Sequence, residues 1–124
     1  MLLAAALRGR MMESLVKRKS KRESKLSDQA FITGIMSMMP AALGIPMDEI
    51  FKQINLEEEV VVALSSHSGV LGKTLALMEC FDARDIEGCE ELMRQLPELK
   101  LDRLQLNMCL IDSLCWISGS RKEE

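Results

Sequence analysis

Tyrosine is absent from these 124 residues, histidine occurs once, and aromatic side chains make up only 3 % of the chain. So few flat rings leave no platform on which successive bases can stack. A lone histidine, His67, is too little to hold a pair of catalytic metal ions by imidazole. The four cysteines, Cys80, Cys89, Cys109 and Cys115, form no Cys-x-x-Cys pair, the spacing that a structural zinc site wants. They read as reduced thiols on buried helix faces, which fits a reducing, cytoplasmic setting. Nowhere does the chain approach the ~20 consecutive apolar residues that span a bilayer. The apolar start Met1–Leu7 is short for a signal-peptide core, and its charge follows rather than precedes it. No metal, cofactor or membrane span is therefore expected.

What is present is apolar and charged. Apolar residues make up 48 %, so core filling falls to Leu, Ile, Val, Ala and ten Met, which pack adaptably. The length suits one domain with a useful core. The net charge of −3 conceals an asymmetry. Residues 1–26 carry eight basic groups against two acidic, and residues 27–124 eight against seventeen. The basic cluster Lys17-Arg18-Lys19-Ser20-Lys21-Arg22 reads as a solvated connector, about residues 17–26, between two helices. Its alternative is a weak electrostatic hold on nucleic acid.

The dominant period is helical. Leu3, Leu7, Met11 and Leu15 recur every four residues, with Met12 and Val16 beside them, and predict a helix over 2–18. Ser27 offers an N-cap for the next helix, whose apolar face is Phe31, Ile35, Met38 and Met39. Pro40 predicts a kink or break near 37–40. Gly34 leaves room for a neighbouring helix, Gly44 is a stop, and Pro46 begins the helix carrying Met47, Ile50, Phe51 and Ile54. Glu57-Glu58-Glu59 ahead of Val60-Val61-Val62 suits a short helix, since a lone strand would have no partner. Ser68 caps a helix over 69–83, burying Leu71, Leu75, Met78 and Phe81. Asp85 starts another, with Ile86, Cys89, Leu92, Met93 and Leu96 inward, closed by Pro97. The last helix, about 100–117, carries two apolar stripes. One is Leu101, Leu104, Met108, Ile111 and Cys115; the other is Leu106, Leu110, Leu114 and Ile117. So broad a surface wants contact on two sides. The sum is an all-α, irregular bundle of about six to seven helices over residues 1–117, with a polar tail at 118–124.

Particular residues carry a resemblance. Ala30-Phe31-x-Thr33-Gly34-x-x-Ser37, then Ala42-Leu43-Gly44-x-Pro46-x-x-Glu49, resembles the HDOD domain. More narrowly it is similar to the version that follows an EAL domain in bacterial signal-transduction proteins, the EAL-plus-HDOD or modified HD-GYP family. Arg8-x-Arg10-Met11-x-Glu13 is similar to that family's Arg…Glu helix, and Gly69-x-Leu71-Gly72 to its Gly-x-Leu-Gly helix entry. The likeness covers residues 2 to about 96. It implies the C-terminal part of an HDOD domain, with Met1 falling where relatives would be mid-domain. It also implies a non-catalytic regulatory module linked to cyclic di-GMP signalling, whose partner is an EAL domain or a second copy of itself. Arg10 and Glu13 then become an orienting pair, and Gly34 and Ser37 motif positions of the kinked helix.

The residues agree with a binder rather than an enzyme. An HD-type phosphohydrolase, the alternative, needs an adjacent His-Asp pair and further histidines; His67 is followed by Ser68. Gly72-Lys73-Thr74 supplies half of a phosphate-loop fingerprint, but the required first glycine falls on His67. Missing neighbours would leave Leu3, Leu7, Met11 and Leu15 uncovered, and large uncovered apolar patches drive association. A homodimer or higher assembly through the first helix is the resulting expectation.

Overall fold

The computed structural model describes residues 2–17 and 24–119. Among them, eight α-helices and one 3-10 turn account for the regular structure, an all-α bundle. They are α1 (Leu2–Val16), α2 (Ser24–Met36), α3 (Met39–Leu43), α4 (Met47–Gln53), α5 (Glu58–Ser66), α6 (Gly69–Asp82), α7 (Ile86–Arg94) and α8 (Arg103–Ser118), with the 3-10 turn Pro97–Leu99 before α8. The number exceeds the sequence expectation because the Pro40 break separates a whole short helix. α2 ends at Met36, a turn crosses Ser37 and Met38, and α3 restarts with Pro40 in its first turn, where a missing N–H costs nothing.

α1 lies at the centre, packed on α2, α6 and α8, while α2 also meets α5 and α6. The α1–α2 contact is the most extensive, and two glycines make it so. A Cβ on Gly34 would lie 2.5 Å from the Gly9 Cα, and one on Gly9 would lie 2.8 Å from the Phe31 carbonyl oxygen. Backbone therefore meets backbone, as expected at Gly34. A second close approach sets the α5–α6 corner: a Cβ on Gly72 would lie 2.2 Å from the carbonyl carbon of His67.

The core gathers Met11, Met12, Leu15 and Val16 from α1 with Ile50, Val60, Leu71, Leu75, Leu77, Met78, Leu96 and Leu99. This corrects the expectation for the first helix. Met11 and Leu15 are buried, Leu7 is half-buried against the core, and only Leu3 remains exposed, at 70 %. α2, α6 and α8 pack on α1 within the chain itself. Other corrections are local. Ser27 is buried within α2, which begins at Ser24, so it lies inside the helix rather than at its N-terminal boundary. Ile86 and Ile54 are exposed rather than inward, since each lies at a helix end beyond the reach of the core. Ser68 occupies the N-cap of α6 without capping it, its hydroxyl facing that of Ser66 instead. Asp85 and Asp102 do cap, accepting from the Gly88 and Gln105 amides at 3.0 and 2.8 Å. Arg18–Glu23 of the basic connector, and residues 120–124 of the polar tail, lie outside the described residues.

Candidate interaction surface

Two arginines leave α1 two residues apart and serve different neighbours. Arg8 reaches across the helix crossing, donating from Nη1 to the Ser37 hydroxyl at 3.1 Å and pairing through Nη2 with Asp82 of α6. Ser37 in turn donates to the Gly34 carbonyl at 2.7 Å, inside the turn that Pro40 enforces. Arg8 thus ties α1 both to the turn after α2, through Ser37, and to α6, through Asp82. Only half of this cluster showed in the sequence, because Asp82 lies 74 residues from Arg8.

Arg10 turns toward α8. Its Nη1 pairs with Glu13 at 3.1 Å, its Nη2 lies 4.0 Å from Asp112, and its guanidinium sits 5.3 Å from the centre of the Trp116 ring. Glu13 also meets Lys17 at 3.4 Å. Trp116 makes an edge-to-face contact with Phe31, ring centres 6.3 Å apart. A cation over an indole face is favourable by roughly 0.5–1 kcal/mol where exposed. The expected Arg10–Glu13 pair therefore forms, but as part of a seam that fixes α8 to α1. Trp116 escaped the sequence reading, since nothing local connects it to a side chain more than a hundred residues away.

α8 carries the largest apolar display. Leu106 and Ser113 are buried, with Cys109, Leu110 and Ile117 half-buried on the same side. The opposite side shows Leu104, Met108, Ile111 and Leu114 exposed at 47–64 %. At 100° per residue, positions 104, 108 and 111 fall on one line. Within the bundle, α8 receives contact on one side of its two stripes. The candidate association surface accordingly moves from Leu3, Leu7, Met11 and Leu15 to this outward stripe.

His67 ends α5 in the left-handed region, exposed, with its Nε2 3.0 Å from Glu79. No group of three His, Cys, Asp or Glu side chains among the described residues is arranged to hold a metal ion. Cys80 and Cys89 face each other across the α6–α7 corner, where a Cβ on Gly88 would lie 2.9 Å from the Cys80 Sγ. Burial pushes both thiols up, helped by the Asp85 carboxylate and, for Cys89, by its neighbour Cys80. Raised thiols are poor nucleophiles at neutral pH. No single helix among the described residues is long and apolar enough to cross a membrane.

Over 89 residues, 72 % of its length, the chain is 33 % identical to the cyclic di-GMP phosphodiesterase CdgJ of Vibrio cholerae serotype O1 (strain ATCC 39315 / El Tor Inaba N16961). The two are related. The chain spans about a fifth of that protein's length, 20 %. No family model matches the chain, and no solved structure does.

Proposed function

We propose that this chain is a non-catalytic, protein-binding module of a bacterial cyclic di-GMP signalling protein, corresponding to the HDOD region that its motifs resemble. The carrying observation is the outward stripe Leu104, Met108, Ile111 and Leu114, an apolar helix face that the described residues leave about half exposed. Burying such a face returns roughly 25 cal/mol per Å² of apolar area. The relationship to CdgJ supplies the signalling context. The occupant is a protein surface: an EAL domain or a second copy of this chain.

The test is light scattering on the whole chain, with and without Met108→Glu and Ile111→Glu, followed by titration with an EAL domain. Association of the parent protein, with itself or with the EAL domain, that both variants abolish without loss of helicity supports the reading. A parent that stays monomeric and ignores the EAL domain overturns it. So does hydrolysis of cyclic di-GMP by the purified chain that His67→Ala removes.

A further inference from the structure

A groove of about 480 Å³ opens between the α6–α7 corner and the start of α8. Apolar Phe81, Ile86, Leu106 and Leu110 line it together with two arginines, Arg84 and Arg103. That size falls within the ~300–1,000 Å³ typical of small-molecule sites.

The charges around the groove are unevenly committed. Asp82, the carboxylate on its wall, is paired with Arg8. Asp85 and Asp102, the nearest acidic neighbours in sequence, accept backbone amides as helix caps. Neither Arg84 nor Arg103 is ion-paired among the described residues. Two unmatched cations therefore line a largely apolar groove in a chain whose net charge is −3. Low-dielectric walls focus such a field.

The backbone fixes one of those cations. The Arg84 amide donates to the Phe81 carbonyl at 3.1 Å and the Asp85 amide to the Cys80 carbonyl at 2.9 Å, the paired bonds of a Schellman helix end. That motif places Arg84 at φ 60°, a conformation glycine would adopt with less strain.

From this geometry we infer that the groove binds a small organic anion, a phosphate or carboxylate on an apolar body. Arg84 and Arg103 take the charge, Asn107 supplies a polar side chain on the same wall, and Phe81, Ile86, Leu106 and Leu110 take the body. Guanidinium–phosphate hydrogen bonds are charge-assisted and about twice as strong as neutral ones.

The test is an amide NMR titration of the full chain with 1-naphthyl phosphate, decyl phosphate and uncharged 1-naphthol. Saturable shifts confined to residues 81–89 and 103–110 are expected with at least one phosphate, at affinity at least roughly tenfold above that of 1-naphthol. Whichever phosphate binds tighter assigns the body to a compact ring or a lipid-like chain. Arg84→Gly removes the guanidinium while relieving the left-handed residue, so its fold should hold or gain stability. Combined with Arg103→Gln it should weaken phosphate binding roughly tenfold or more and leave 1-naphthol unchanged. Shifts along the exposed α8 stripe alone, no saturation with either phosphate, or undiminished binding in the double variant would overturn the assignment.

Discussion

Single residues decide how closely the helices of this protein approach. Gly34 was legible as a crossing point because a glycine inside an apolar helix needs a packing reason. Its counterpart Gly9 was not, since its role exists only once α1 lies across α2. Gly34→Ala would set a methyl 2.5 Å from the Gly9 Cα, with backbone rather than a flexible side-chain tip in the way. We expect a loss of about 1–3 kcal/mol, read as a lowered urea midpoint. The thiols yield a second expectation at this scale. Desolvation, first of all, holds the thiols of half-buried Cys80 and buried Cys89 above the ordinary 9.0 in the folded chain. The folded state then holds its thiol protons more tightly than the unfolded one. Their contribution is complete below pH 9 and is lost as pH rises through the elevated folded values. Urea midpoints should therefore fall between pH 8 and pH 10.5, and fall less in a Cys80→Ala, Cys89→Ala variant. A midpoint flat across that range would contradict the burial.

At the scale of the element, the helices were readable from their punctuation. Pro40, Gly44, Pro46, Asp85 and Pro97 each mark a boundary found in the structure, because capping and proline chemistry act within a few residues of chain. Which face each helix buries was less readable. The four-residue repeat Leu3–Leu15 identified a stripe, yet the core that buries Met11 and Leu15 also draws on helices far along the chain. α8 is the instructive case: its two apolar stripes could be seen, but not how the bundle divides them, since Leu114 of the second stripe stays exposed with Leu104, Met108 and Ile111 of the first. Leu106 is on the taken side, at 3 % exposure, and Ile111 on the open side, at 55 %. Leu106→Ala should cost about 2–5 kcal/mol of stability. Ile111→Lys should change stability by no more than about 0.5 kcal/mol. Denaturant titrations of the two variants check the orientation of the helix, and equal losses would mean that α8 sits otherwise in solution.

For the whole molecule, a scarcity of rings becomes an experimental advantage. Trp116 is the single tryptophan and sits where α1, α2 and α8 converge, against Arg10 and Phe31. Its fluorescence reports on that seam alone, whereas far-ultraviolet dichroism reports on all helices. One continuous core joins α1 to the remaining helices, so the two unfolding curves should coincide. A fluorescence transition at lower denaturant would mean that α8 detaches before the rest melts. The all-α architecture was evident from periodicity because helical patterning repeats throughout the chain. Arg8 with Asp82 and Trp116 with Arg10 were hidden because tertiary partners leave no trace in local spacing.

The glycine crossing bears on the order in which the chain assembles. α1 and α2 are consecutive and share the broadest contact, so joining them closes only a short loop and forfeits little chain entropy. A hairpin of these two helices is thus the natural seed of folding, on which the later helices condense. Lesions at Gly9 or Gly34 should then slow refolding as well as hasten unfolding.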